Sequence, residues 1–252
     1  MKRFYRKVDT ISAAAGHSVA LDGKPIKTPA KRPLVMPNAV LAAAIAAEWE
    51  AQETEIRPAE MPLTRLASTA IDRVAPQRPE VVRQIAGYAA TDLVCYRAAH
   101  PPELAARQEA VWQPLVDWAV RRYDAPLEIA VGVIPVGQPD ASLRAFAAAV
   151  AAHDDWALAA LHLATGACGS LVIALALSEG RIDAAAAFAA SELDESFQID
   201  AWGEDAEQAL RRRGLFDDLA AAARFLKLLR TTTDDSLVTL LRAGETPIGN
   251  VR

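Results

Sequence analysis

The sequence contains little of what disulfide-stabilised and metal-binding proteins need. Only two of its 252 residues are cysteine, Cys95 and Cys168, too few for a disulfide framework and more typical of a reducing compartment. Both lie in apolar stretches, so we expect them to pack in the core rather than to act as nucleophiles. The four histidines are scattered, with no H-x-x-x-H or C-x-x-C spacing. The sequence therefore predicts no metal site.

Nucleotide-binding motifs are missing as well. No G-x-G-x-x-G occurs, and the only approach to a phosphate-binding loop, Gly23-Lys24, continues with Pro25 instead of Ser or Thr. The pair Asp22-Gly23 is instead typical of a tight β-hairpin turn. The sequence thus predicts neither a bound cofactor nor a catalytic residue set.

Positive charge is in deficit, because the net charge is −5. An acidic total argues against a nucleic-acid partner, although Lys2, Arg3, Arg6 and Lys7 give the N-terminus a basic character. We interpret this alternation of basic and apolar residues as a strand with its long basic side chains in water. Neither a secretory signal nor a transit peptide is recognisable, so the expected location is the cytoplasm of a bacterium.

One long apolar run, Trp156–Leu177, contains no Asp, Glu, Lys or Arg and is long enough to span a bilayer. Polar and small residues dilute it, and no Arg or Lys cluster marks a cytoplasmic side. A single buried central helix is the favoured interpretation, and an integral membrane protein is the alternative. In the favoured case Gly166, Gly169 and Ser170 would let neighbouring helices approach closely.

The order of elements predicts an α+β fold: a small β-rich N-terminal domain followed by a larger α-helical domain. Strands are expected at Arg3–Thr10, at His17–Leu21 and Lys24–Thr28 around the hairpin turn, and at Leu34–Met36. A helix capped by Asn38 should then run to about Glu53.

Helical periodicity dominates the remainder of the chain. Pro76 and Pro79 suggest a boundary between a domain of residues 1–76 and one of residues 77–252. A single late strand is expected at Leu127–Val131, and Pro114 should kink or split the helix that contains it. The stretch after Arg230 loses its period and is expected to be frayed or loosely docked.

The segment Ser191–Asp205 has the least ordinary composition. As one helix it places Phe188, Glu195 and Trp202 seven residues apart on a single stripe, and the two apolar faces predict a helix clamped between others. A carboxylate on that stripe is costly unless something pairs with it. Two roles for Glu195 stay open: a buried ion pair that fixes helix order, or direct contact with a partner.

Adjacent carboxylates occur at Asp194-Glu195 and at Glu204-Asp205. Neighbours on a helix point about 100° apart, so neither pair forms a convergent acid–base dyad. The second pair is better explained by capping of the next helix. A small enzyme that uses Glu195, with its pKa raised by burial, is nevertheless retained as the alternative function.

Several segments occur in an order that resembles one family. They are RFYRKV (3–8), LDGKPIKTPAKRPLVMP (21–37), AAEWEAQ (46–52), MPLTRLASTAID (61–72), YAATDLVCYRA (88–98), WQPLVDWA (112–119), TGACGSLVIALAL (165–177) and ELDESFQIDAWGED (192–205). Together they are similar to the ATP-synthase assembly chaperones that bind the alpha subunit of the catalytic F-one sector, the ATP-twelve family. Ser68 and Cys168 depart slightly from the family pattern, and the tail after Arg230 has no counterpart.

The resemblance implies a chaperone rather than an enzyme, one that holds the alpha subunit until the beta subunit displaces it. It implies a protein client, no nucleic acid, no stable membrane insertion, a monomeric state, and the mitochondrial matrix as the location of eukaryotic relatives. Glu195 matches the acidic residue that the family ties to function, and Trp49, Trp202 and Gly203 match signature positions. The predicted partner-binding residues are Asp194, Glu195, Gln198, Trp202 and Gly203.

Overall fold

The structure is a computed structural model that describes residues 1–132, 134 and 136–231. It contains two compact units. The first comprises Met1–Arg65 and, from Lys227, the described end of the chain; the second is Leu66–Leu226. A small sheet region precedes a larger helical region, which confirms the predicted α+β class. The domain boundary at residue 76 stays a prediction, and the tail predicted to be frayed lies mostly at 232–252, outside the described residues.

The first unit is built on a four-stranded antiparallel sheet. Its strands are β1 (Val8–Ala13), β2 (Gly16–Leu21), β3 (Lys24–Pro25) and β4 (Val35–Met36). The central strand β2 pairs with all three others, with Val8 opposite Leu21 and Ser18 opposite Val35. The first strand therefore begins at Val8 rather than at the predicted Arg3.

The Asp22-Gly23 hairpin is confirmed. Both residues have positive φ, 48° and 79°, which is the backbone that a two-residue turn between twisted strands requires. The Asp22 carboxylate accepts hydrogen bonds from the backbone N–H groups of Arg6 and Lys7, the shortest 2.9 Å. These bonds lower the pKa of Asp22 and fix the turn against the N-terminal segment.

Helix α1 (Ala39–Glu50) packs on the sheet and begins where predicted, because Asn38 accepts from the backbone N–H of Leu41 at 2.8 Å. It contributes a buried carboxylate. Glu48 accepts from the backbone N–H groups of Leu63 (2.7 Å) and Thr64 (2.8 Å), at the start of α2 (Pro62–Thr69). An acidic group at a helix N-terminus is favourable, so α1 and α2 are joined by this cap.

Pro76 and Pro79, which suggested the domain boundary, lie in a helix that is kinked between them. A π-helical turn, Ala70–Val74, connects α2 directly to α3 (Ala75–Gly87). Pro76 lies in the first turn, where its missing N–H matters least, and the chain absorbs Pro79 through non-helical angles at Gln77.

Two residues of the expected late strand pair with another strand. Ala130–Val131 (β6) lies parallel to Tyr96–Arg97 (β5), so only the end of predicted Leu127–Val131 is β. In the sequence between β5 and β6, α4 (Pro102–Tyr123) continues through Pro114 as one helix, so the predicted split at Pro114 is wrong. Helix α5 (Asp140–Ala151) follows.

The long apolar run forms two helices, not one. Helix α6 (Asp155–Cys168) ends at Gly169, whose φ is 62°, and α7 (Leu171–Ser178) begins after Ser170, which accepts from the N–H of Ile173 at 3.1 Å. All eight residues of α7 are buried, and α7 forms the centre of the second unit's core. Within the described part of the chain, no helix combines the length and the apolarity that crossing a bilayer requires.

The predicted close approach at the glycines of this run is wrong. A Cβ atom added at Gly166 or at Gly169 would meet no other described atom within 4 Å. Gly169 is required instead for its left-handed backbone. Ser170, by contrast, is fully buried, and its hydroxyl caps α7.

Three helices end the described chain: α8 (Ala184–Ser191), α9 (Leu193–Trp202) and α10 (Ala206–Arg230). Asp183 caps α8, accepting from the N–H of Ala186 at 2.8 Å. The single helix expected through 188–202 is interrupted at Glu192, whose φ and ψ are −102° and 23°.

Candidate functional site

The candidate site is helix α9 with its two ends, Glu192 and Gly203. It belongs wholly to the second unit, between α8 and α10 in sequence. Gly203 ends the helix with a φ of 86°, and its N–H donates to the carbonyl of Ile199 at 2.8 Å. The helix is short, so its position depends on contacts with neighbouring helices.

The buried carboxylate of this region is Glu192, a residue that the sequence analysis did not single out. Only 8% of it is exposed, and its Oε2 accepts from Arg211 Nη2 and Arg212 Nη1, each at 3.1 Å. Both arginines lie on α10. The junction between α8 and α9 is therefore tied to α10 by charge-assisted hydrogen bonds.

Arg212 makes further contacts along α9. Its Nη2 donates to Ser196 Oγ at 3.0 Å, and its Nε lies 3.2 Å from Glu204 Oε1. The guanidinium also sits over the ring of Phe188, 5.1 Å from the centroid. Of the carboxylates expected to cap α10, Asp205 does so through the N–H of Gln208 (2.8 Å), whereas Glu204 pairs with Arg212.

Glu195 is only partly buried, with 31% of its side chain exposed. Gln208 Nε2 donates to its Oε1, and Arg211 Nη2 lies 3.5 Å from the same oxygen. The carboxylate thus has partners on α10, which is what the unfavourable free energy of an unpaired carboxylate on an apolar stripe led us to expect. The stripe itself is not clamped, because Trp202 is 80% exposed.

Asp194 connects α9 to a different helix. It accepts from Gln108 Nε2 of α4 at 2.8 Å, and the buried Gln108 accepts in turn from the backbone N–H of Ala98 at 2.7 Å. Near the other end of α9, Asp200 pairs with Arg107 of α4 at 2.7 Å. Helix α9 is consequently held on one side by α4 and on the other by α10.

The remaining three predicted partner-binding residues, Gln198, Trp202 and Gly203, are exposed. Asp194, Gln198 and Trp202 are spaced by four residues and lie along one face of the helix. The five predicted residues therefore fall into two groups: Asp194 and Glu195 hold the helix, and the other three face water.

Neither acid–base nor thiol chemistry has support in this geometry. The Glu195 carboxylate is engaged by Gln208 and Arg211. Cys95 and Cys168 are buried as expected, and burial raises the pKa of each thiol to about 12, which disfavours the reactive thiolate. The described residues include no cluster of His, Cys, Asp and Glu that could hold a metal ion.

Another buried carboxylate, that of Asp92, was also not predicted from the sequence. It is fully buried and accepts from Ser170 Oγ (2.5 Å), from the N–H of Val172 (3.0 Å) and from that of Val94 (3.2 Å). Burial raises its pKa to about 6 although these donors act in the opposite direction. The available signal was a polar residue directly before an apolar run in each of two segments, TDLVC and GSLVI.

Comparison with known proteins assigns this architecture to one family. The family model described as ATP12 chaperone protein matches residues 2–120. The mitochondrial protein atp12 of Schizosaccharomyces pombe is 24% identical over an alignment of 249 residues, which covers 93% of this chain and 85% of the yeast protein.

Solved structures agree over nearly the whole chain. The crystal structure of Atp12 from Paracoccus denitrificans matches with a TM-score of 0.87 and 42% identity, covering 91% of this chain and 98% of that one. A protein from Agrobacterium tumefaciens, described as a candidate chaperone, matches with a TM-score of 0.87 and 40% identity over 91% of this chain and 86% of its own. On this evidence the chain belongs to the ATP12 chaperone family.

Proposed function

We propose that this protein is an assembly chaperone for ATP synthase that binds the unassembled alpha subunit of the catalytic sector and releases it to the beta subunit. Family membership supports the chaperone role. The observation that carries the proposal further is Trp202, a large aromatic side chain left 80% exposed on a helix that charged and polar contacts with α4 and α10 hold in place. We propose that it acts as a monomer in the bacterial cytoplasm.

The physical task explains why such a surface is useful. An unassembled subunit exposes apolar interface that aggregates, and a chaperone must cover it reversibly. Without an energy source, release requires that the final partner bind the same subunit more strongly, so that mass action removes the chaperone. The chaperone must therefore bind its client with only moderate affinity, and a small aromatic contact surface suits such binding.

We assign the two groups of α9 residues different tasks. Gln198, Trp202 and Gly203 would contact the client, with Trp202 as the anchor, because tryptophan is enriched among the residues that dominate binding energy. Asp194 and Glu195 would fix the orientation of the helix through α4 and α10. The acidic residue is then important for function without having to touch the client.

The experiment is co-purification of the full chain with unassembled alpha subunit, together with suppression of its aggregation. Replacing Trp202 with Ser should weaken binding by about 30-fold or more, since loss of an anchor residue costs roughly 2 kcal/mol or more. Val131→Ser is the matched control, because Val131 is also exposed (67%) but lies on β6. Absence of any interaction at micromolar concentration would reject the proposed client.

The same assay separates the two roles of Glu195. If it braces α9, Glu195→Gln should keep most of the affinity, because Gln still offers an oxygen to Gln208 and the helix stays in place. If it contacts the client directly, affinity should fall while the free energy of unfolding is unchanged. Measuring both quantities on one variant decides between the roles.

A further inference from the structure

A cavity of about 450 Å³ lies in the first unit, far from α9 in sequence. It is enclosed by the N-terminal segment at Met1–Tyr5, by the β2–β3 hairpin from Leu21 to Lys27, and by Trp49 of α1; we call it the hairpin cavity. Its volume falls in the range of about 300–1,000 Å³ that is usual for ligand sites. Nothing in the chaperone assignment explains it.

Two apolar side chains that line the hairpin cavity are unusually exposed. Met1 is 74% and Phe4 is 64% exposed, and both line it. They stand beside Tyr5, whose ring packs edge-on against Phe4 (5.4 Å) and against Trp49 (5.8 Å). Exposed aromatic and aliphatic groups gathered around one cavity mark a surface for an apolar side chain.

Trp49 adds an unmet hydrogen bond. Its indole Nε1 is buried and has no acceptor among the described residues. Buried donors in folded proteins are nearly always paired, so an unpaired indole N–H on a residue that lines the hairpin cavity is unusual.

The charge around the hairpin cavity is positive in an otherwise acidic protein. Residues 1–36 contain eight Lys and Arg but only two Asp and Glu, whereas the whole chain has a net charge of −5. Lys24 and Lys27 line the cavity. The one acidic lining residue, Asp22, is already bonded to the backbone of Arg6 and Lys7.

We propose that the hairpin cavity binds an acidic, extended segment of a protein partner, with one large apolar side chain of that segment inserted beside Phe4 and Trp49. The carboxylates of the segment face Lys24 and Lys27, which steers association and sets specificity. An inserted side chain requires a cavity with walls on several sides, which the hairpin, the N-terminal segment and α1 supply. A lipid surface would need only the exposed groups.

The test uses the full chain and an acetylated eight-residue peptide of Asp and Glu with one central phenylalanine. Binding is followed by calorimetry and by the indole N–H resonance of Trp49, assigned with Trp49→Phe. We expect the peptide to move this resonance, and a peptide with alanine at its centre to bind at least tenfold more weakly. Phe4→Ala should cause a similar loss, and because Phe4 is exposed the variant should fold normally.

Charge variants distinguish the hairpin cavity from general attraction. The double change Lys24→Glu, Lys27→Glu should weaken binding at least tenfold. The double change Lys7→Glu, Lys31→Glu alters net charge equally at exposed residues that do not line the cavity, and should change affinity less than threefold.

Three results would overturn the proposal: no movement of the Trp49 resonance at millimolar peptide, equal effects of the two double variants, or Lys24- and Lys27-dependent binding to phosphatidylglycerol vesicles without peptide binding. None of these involves the alpha subunit or Trp202. The hairpin cavity and the proposed client surface on α9 can therefore fail independently.

Discussion

Removal of the Glu192 carboxylate should destabilise the protein more than removal of any exposed acidic partner on α9. The carboxylate is 8% exposed and accepts two charge-assisted hydrogen bonds, from Arg211 and Arg212. Breaking a buried ion pair by deleting one partner costs about 3–5 kcal/mol. Arg211 is half exposed, and Arg212 keeps Glu204 and Ser196, so the expected cost of Glu192→Ala lies at the lower end, about 3 kcal/mol.

Asp200→Ala is the matched control on the same helix. Asp200 pairs with Arg107 at 2.7 Å, but both side chains are more than half exposed, so its loss should cost about 0.2–1 kcal/mol. High salt should shrink this smaller effect and leave the effect at Glu192 largely intact, because buried pairs are screened much less. Comparing the two variants separates the effect of burial on the free energy of unfolding from the effect of charge.

Urea unfolding followed by tryptophan fluorescence measures both costs. In a Trp49→Phe background every remaining tryptophan lies in the second unit, so the signal reports that unit alone. For a unit of this size, about 3 kcal/mol corresponds to a fall in Tm of roughly 6–12 °C. A Glu192→Ala cost no larger than that of Asp200→Ala would refute the assignment of Glu192 as the main brace of α9.

Three further predictions concern other positions. Burial raises the pKa of Asp92 to about 6 from its ordinary 3.8, so the folded state takes up a proton. The contribution of this group to the free energy of unfolding is full below about pH 4 and falls by up to roughly 3 kcal/mol as pH rises towards 6. In urea titrations at several pH values, Asp92→Asn should lack this dependence on pH. Gly166→Ala should raise the free energy of unfolding by about 1 kcal/mol because the site is helical and open. Gly169→Ala should lower it by about 1 kcal/mol because the φ of Gly169 is positive. Thermal melts in which both variants change stability in the same direction would contradict this. Glu195→Lys should reduce alpha-subunit binding more than Glu204→Lys, measured by co-purification, because Glu195 lies on α9 and ties that helix to Gln208 and Arg211, whereas Glu204 lies beyond the end of α9. Equal losses would count against the assignment.

Features that one or two neighbouring residues determine could be predicted from the sequence. The Asp22-Gly23 turn and the Asn38 cap both occur where expected. Each depends on a local backbone preference or on a side chain that reaches a backbone N–H two or three residues away. The α+β class followed from the order of these local features.

The breaks within helices could not be predicted in the same way. Apolar periodicity continues across Gly169 and across Glu192, so a single helix satisfied the pattern in both places. The first break does have local signals, Gly169 with its positive φ and the Ser170 cap, but the periodicity masked them. The second break is stabilised by two arginines of α10, which are distant in sequence and belong to no local pattern.

The structure gives the individual residues of the predicted segment different surroundings, which its sequence pattern could not show. The pattern drew attention to Glu195, whereas burial depends on which helix turn faces α10, and that turn contains Glu192. Trp202 was expected to be clamped because it shares a stripe with Phe188, but the kink at Glu192 places the two residues on different helices. Hydrophobic periodicity assumes a continuous helix, and that assumption fails here.

The bond between Ser170 and Asp92 has a consequence for folding kinetics. It joins residues 78 positions apart, and closing a loop of that length costs roughly 4 kcal/mol of chain entropy before any contact is gained. Until the loop closes, the apolar helices of residues 155–178 have no core in which to bury their faces. We expect this intermediate to be the species most prone to self-association, so a protein that belongs to a chaperone family would itself pass through a state in need of one.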